Sequence, residues 1–178
     1  MSDWPRELIS LGYDTVISPF HVCSIGAALG TIGSTSSGVF PGANLALFIP
    51  FRISIPILIK KLAWINGGVV DGNVDFGVYD STGRKIVSTG STAQSGTQAA
   101  QLIDIADVLI PPGQYFFALA SDSATATFRR VLLGQQEGRA LGCFQQASAF
   151  PLPDIATFAT LGQALYIYSG AVVCVEVV

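Results

Sequence analysis

The chain has 178 residues, 50% of them hydrophobic and only 12% charged, with a formal net charge of -3. That length fits one domain, or one core with an extended arm; the negative balance argues against a nucleic-acid-binding face, and no apolar run reaches the roughly 18 residues of a membrane-spanning helix. A typical soluble domain is about one quarter charged, so a chain this poor in charge is expected to bury part of its outer surface against other subunits.

The N-terminal stretch Met1-Ser-Asp-Trp-Pro-Arg-Glu has neither the basic start nor the apolar run of a secretory signal, and synthesis in the cytoplasm is expected. Residues 1–42 read as an arm. Pro5 to Ser10 suits a helical turn and Asp14 to Ser18 a strand, a mildly apolar stretch runs from Ile17 to Leu29, and a Gly- and Ser-rich run follows from Gly30 to Gly42. Thr31 to Gly38 has little to bury, and such arms order by lying on a partner. Val22, Ile25 and Phe40 are its candidate contacts. Deleting residues 1–42 is expected to leave the rest folded.

Residues 43–178 read as an all-β, antiparallel β-sandwich. No segment carries a sustained helical stripe, while short runs rich in Val, Ile, Phe and Tyr alternate with turns supplied by 19 glycines and 9 prolines. The predicted strands are Leu45 to Pro50, Ile53 to Ile65 with Pro56 marking an edge or bulge, Val69 to Tyr79, Lys85 to Thr89, Gln101 to Ile105, Gln114 to Ser121 and Thr125 to Leu132. In the third, Val70, Val74, Phe76 and Val78 fall on one face and Asp71, Asn73, Asp75 and Tyr79 on the other, which predicts a half-buried strand. A hairpin follows, with Asp80 bonding its own turn and Gly83 taking positive φ. Pro111-Pro112-Gly113 launches Tyr115, Phe117 and Leu119 onto a buried face. Gly134 to Gly142 reads as a polar, flexible connection, and the chain returns through Phe150 to Pro153, Leu165 to Tyr168 and Ala171 to Val178. The last run is apolar enough that it is expected to pair within a sheet or across a subunit interface, which makes Val173 and Val175 further candidate contacts.

From Phe48 to Phe128, a little under half of the chain, the sequence resembles a jelly-roll-like sandwich module of tailed-phage virion proteins, found in head decoration, head-fibre and tail-associated proteins. The resemblance lies in Ile49-Pro-Phe-Arg-Ile, Ile59-Lys-Lys-Leu-Ala-Trp-Ile-Asn-Gly, Gly72-Asn-Val-Asp-Phe-Gly-Val-Tyr-Asp-Ser-Thr-Gly-Arg, Ser88-Thr-Gly-Ser-Thr-Ala-Gln-Ser-Gly-Thr and Leu109-Ile-Pro-Pro-Gly-Gln-Tyr-Phe-Phe-Ala-Leu-Ala. It implies a structural role in the virion and brings no catalytic site.

The residues supply little chemistry of their own. The one histidine, His21, has no Asp or Ser spaced to orient it as a base and reads as a core or interface residue. Cys23, Cys143 and Cys174 are odd in number and sit among apolar neighbours, so they read as buried free thiols. No metal, phosphate or dinucleotide motif occurs, and no cofactor is expected. Asp71 with Asp75, or Asp104 with Asp107, are the nearest approach to a glycosidase pair, but the first two would stand about 13 Å apart along a strand. A calcium site from Asp71, Asp75, Asp80 or Asp122 matches no dedicated loop. The dibasic pairs Lys60-Lys61, Arg84-Lys85 and Arg129-Arg130 suit either solvated strand ends or carboxylates of a neighbouring protein. Sugar binding would draw on Trp64, Tyr79, Tyr115 and the Ser88 to Gln98 loop. The expected protein is therefore no enzyme. Taken with the resemblance, it is expected to be a capsid decoration or cement protein assembled into the virion in the host cytoplasm, partnered by copies of itself (a trimer being the assembly considered), the major capsid protein or other virion proteins. Neither nucleic acid nor membrane is an expected partner. The alternative is a tail or fibre component that binds a host glycan.

Overall fold

The computed structural model describes residues 15–17, 36–53, 56–162, 165–168 and 170–177. The strands are β1 (Thr15–Ile17), β2 (Ser36–Val39), β3 (Leu45–Ile53), β4 (Ile57–Ile65), β5 (Asn73–Asp80), β6 (Lys85–Ser88), β7 (Thr92–Ala93), β8 (Ala100–Ile110), β9 (Gly113–Ser121), β10 (Thr127–Leu133), β11 (Phe144–Gln146), β12 (Ala159–Thr160), β13 (Leu165–Tyr168) and β14 (Gly170–Val177). A short helix, α1 (Gln135–Ala140), lies between β10 and β11. Among the described residues the strand pairings are antiparallel, and the architecture is an all-β sandwich.

One layer is a seven-stranded sheet in the order β12-β11-β3-β9-β5-β6, with β7 also on β5; facing it are a four-stranded sheet β1-β14-β4-β8 and a three-stranded sheet β13-β10-β2. Period-two alternation explains the core between them. Leu47, Ile49 and Phe51 of β3, Val74, Phe76 and Val78 of β5, and Tyr115, Phe117 and Leu119 of β9 meet Ile57, Ile59, Leu62 and Trp64 of β4. Phe117 stacks on Phe51 with ring centroids 3.9 Å apart and lies over Phe76 at 5.9 Å. The predicted burial of Tyr115, Phe117 and Leu119 is therefore met.

The opposite face of this sheet differs from expectation. The strand predicted from Val69 begins only at Asn73, and its other face is buried as well, with a burial pattern unbroken from Val74 to Tyr79. A second core explains this: Ala46, Phe48, Tyr79, Phe116, Ala118 and Ala120 are covered by Ala149, Leu152 and Ala156, with Phe144, Phe150 and Phe158 packed alongside. Alternation in sequence distinguishes two faces of a strand. It does not tell which of them a distant loop will cover.

Other boundaries moved for local reasons. The single strand expected from Ile53 to Ile65 is two, β3 and β4, and Pro56 stands in the connection between them. Phe150 to Pro153 forms no strand, since Pro151 and Pro153 offer no N–H to a ladder. The polar segment expected to be flexible contains α1, in which good helix formers surround the buried Gly138, with Arg139 anchoring it by Nε and Nη2 bonds of 2.9 and 2.6 Å to the Leu161 carbonyl. The hairpin turn at Asp80 is as expected: its Oδ1 accepts from Thr82 N at 2.8 Å and Arg84 N at 3.0 Å, and Gly83 has φ of 86°. The C-terminal run pairs inside a sheet, β14 lying between β1 and β4.

Candidate interaction surface

At one end of the sandwich a polar network fixes the path of three loops. Asn66, fully buried just after β4, accepts from Trp64 Nε1 at 2.9 Å and Gln94 Nε2 at 3.0 Å, and donates to the Ser95 carbonyl and to Gln101 Oε1. Its backbone forms an isolated bridge with Phe128, which joins the four-stranded sheet to β10. The chain then runs along β10: Gly67 N donates to the Thr127 carbonyl at 2.8 Å, Thr127 N to the Val69 carbonyl at 3.0 Å, and Gly68 N to Ser37 Oγ at 2.8 Å. Gly67 is required here, because a Cβ would lie 2.4 Å from Thr127 Oγ1 and 2.3 Å from Ser37 Oγ.

This routing leaves Thr127 flanked by two valines. Val39 is its Cα partner on β2, and Val69 bonds it from the other side. Both are exposed, Val39 by 48% and Val69 by 50%, whereas Phe40, next in sequence, is 2% exposed and packs edge-on against Phe128. Polar groups surround the valines. Ser37 is held by Gly68, and Gln98 accepts from Arg129 Nη2 at 2.8 Å. Asp71 Oδ2 accepts from the hydroxyls of Ser123 and Thr125, each at 2.5 Å; the Ser123 bond first and the Thr125 bond second hold its carboxyl below the usual range. An apolar centre with a polar rim is the anatomy of a protein contact. Two valines fall far short of the ~1,600 Å² of a standard interface, so this spot suits an anchor within a larger contact.

The residues singled out by sequence are distributed as follows. Phe40, expected on a partner, lies in the chain's own core, and residues 36–39, expected within the arm, form β2. Thr15–Ile17, inside the predicted strand Asp14 to Ser18, pairs with β14. Val173 stands opposite Lys61 and Val175 falls within a register shift of β14. Val22, Ile25, His21, Cys23 and the turn Pro5 to Ser10 lie outside the described residues. Cys143 is buried in the core.

The lysines of the dibasic pairs are engaged with carboxylates of the same chain. Lys60 meets Asp107 at 3.5 Å, Lys61 meets Asp104 at 2.7 Å and Lys85 meets Asp154 at 3.0 Å. The same contacts occupy Asp104 and Asp107, and Asp71 and Asp75 share no strand face: Asp71 precedes β5 and is exposed, Asp75 is buried. Asp80 serves its turn, and Asp122 bonds Asn73 N at 2.6 Å and Asn73 Nδ2 at 2.7 Å. Among the described residues no three His, Cys, Asp or Glu gather into a metal-binding group. Trp64, Tyr79 and Tyr115 are buried at 0%, 0% and 6% exposure, so none offers a ring face to a sugar. Within Ser88 to Gln98, Gln94 is buried and β7 pairs with β5, which leaves only part of the loop to solvent. Sequence reasoning missed Val39 and Val69. The signal for Val39 was the alternation that puts neighbouring side chains on opposite faces, with Phe40 as the larger and better-buried of the two.

Fold and surface together define a class, an all-β sandwich whose described aspartates bond within the chain and whose exposed Val39 and Val69 lie on either side of Thr127 of β10. No protein-family model, curated protein or solved structure matches the chain.

Proposed function

We propose that this chain is a structural virion protein of a tailed phage, a capsid decoration or cement protein that stabilises the shell through contacts with copies of itself and with the major capsid protein, without catalysis. The observation that carries the reading is the exposed pair Val39 and Val69 on either side of Thr127, at the edge formed by β2 and β10. A charge-poor composition and the internal commitment of Asp71, Asp75, Asp80, Asp104, Asp107 and Asp122 support it, because they favour burial against protein over polar chemistry. Stabilisation then comes from area: each copy adds a modest apolar contact, and many copies multiply the effect by avidity. The test is incorporation into particles of a chain carrying Val39→Asp and Val69→Asp. Loss of incorporation from a folded variant supports the reading; unchanged incorporation refutes it. The alternative, a tail or fibre component that reads a host glycan, would rest on the exposed amides and hydroxyls of Ser95 to Gln98, since the three candidate aromatics are buried. Specific binding on a glycan array, abolished by changes in that segment, would promote it.

A further inference from the structure

The hairpin of β11 and β12 is closed at its neck. Phe144 stands opposite Thr160 and Gln145 opposite Ala159, and Thr157 N donates to Gln146 Oε1 at 2.7 Å. Loop 147–158 thus leaves and returns at one point, as an Ω-loop does, and it folds back over the outer face of the seven-stranded sheet. Side chains on that face bind its main chain. Asp75 of β5 accepts the Leu152 N–H at 2.9 Å, Lys85 Nζ of β6 donates to the Leu152 carbonyl at 2.8 Å, and the Tyr79 hydroxyl donates to the Pro153 carbonyl. Gly77 lies between Asp75 and Tyr79 on the same face. A Cβ there would stand 3.1 Å from Leu152 Cδ1, so the absent side chain makes the room into which Leu152 packs at 2% exposure. Lys85 also meets the Asp154 carboxylate at 3.0 Å. Main-chain bonds to the β5–β6 hairpin, Lys85 N to the Asp154 carbonyl at 2.9 Å and Ala156 N to the Gly83 carbonyl at 2.7 Å, complete the attachment.

These groups read an extended peptide. They satisfy two N–H groups and three carbonyls, accept one apolar side chain over a glycine, and match an acid two residues further on. We infer that the outer face of β5 and β6 is a seat for a peptide of the pattern apolar–proline–acidic, filled in the free chain by its own Leu152–Asp154 and able to take the same segment from a second copy. The closed neck allows the loop to lift while the sheet stays paired. The second copy is the occupant because its segment brings the same leucine, the same carbonyls and the same acid to Lys85. Burial raises the Asp75 carboxyl, and the Leu152 N–H, then Ser88, then Lys85 partly offset it, a cost that any occupant of the seat carries alike. Tyr79 and Asp154 are the remaining titratable groups at the seat.

A synthetic peptide of residues 149–158 stands in for the second copy's loop, and its binding to the full chain is measured by fluorescence anisotropy. The tethered loop competes at an effective concentration on the order of millimolar, so wild type is expected to bind the peptide at least about tenfold more weakly than a full chain carrying Leu152→Ala and Asp154→Ala, whose tethered segment keeps its main-chain bonds but lacks both side chains that the seat takes. Adding Lys85→Ala to that variant should remove binding. A folded double variant that ignores the peptide, or binding indifferent to Lys85→Ala, overturns the inference. Hydrogen exchange of the wild-type chain decides the matter if the variant fails to fold: the Leu152 amide should exchange through an opening that leaves the β9 amides protected, and exchange only together with β9 overturns the inference.

Discussion

Phe40→Ala separates the two roles that residue 40 can have. In the structure its ring is 2% exposed, meets Phe128 with centroids 5.6 Å apart at 64°, and its N–H donates to the Ala126 carbonyl at 2.9 Å. The backbone bond survives truncation. What is lost is the buried ring, about 3–5 kcal/mol for Phe to Ala in a core that cannot collapse fully, including an edge-to-face contact of about 0.5–1.5 kcal/mol. Against a total stability of about 5–15 kcal/mol, that removes a large share. At a urea slope of about 2 kcal/mol per molar, the unfolding midpoint should fall by about 1.5–2.5 M. Equilibrium urea unfolding, followed by both Trp fluorescence and far-UV circular dichroism, measures it. Val39→Asp, one residue away and 48% exposed, should move the midpoint by less than about 0.5 M. A loss under about 1 kcal/mol for Phe40→Ala would refute the reasoning and return the ring to a partner's surface.

Asn66→Ala strips the buried Trp64 Nε1–H of its acceptor and should cost about 2–4 kcal/mol in the same urea experiment; under about 1 kcal/mol would mean that the network is not needed to hold the loops. Asp75→Asn tests linkage. The folded carboxyl is raised by burial, so the native state holds its proton more tightly than the unfolded chain, and wild-type stability relative to Asp75→Asn should decline as pH rises through the window above 3.8 and then level off. Unfolding series from pH 3.5 to 7 that give a constant or rising difference would contradict the assignment. Lys61→Gln should cost no more than about 1 kcal/mol, because Asp104 is mostly exposed and such pairs are screened; a larger loss by thermal unfolding would show the ion pair to be structurally important.

The turn at Asp80 and Gly83, the inward set Tyr115, Phe117 and Leu119, and the antiparallel sandwich were legible because each depends on local chemistry and period-two alternation. The outer face of β5 was not. Asp75 and Tyr79 look like solvent-facing residues until loop 147–158, more than sixty residues later, is known to cover them. Residue 40 failed for a related reason: Gly- and Ser-rich neighbours suggested an arm, while β10 supplied a strand partner that no local pattern announces. Phe40, expected on a partner, is buried while its neighbour Val39 is exposed, because successive residues of a strand point to opposite faces. The ion pairs of Lys60 and Lys61 followed from register between β4 and β8, which composition cannot give.

The most direct test of a role in shell assembly is electron cryomicroscopy of particles assembled with the wild-type chain and with the chain carrying Val39→Asp and Val69→Asp. The account predicts density for the sandwich on the shell with its β2 end against a neighbouring subunit, and loss of that density in the variant while the purified variant stays folded. A chain absent from wild-type particles, or a variant that occupies them normally, would contradict it.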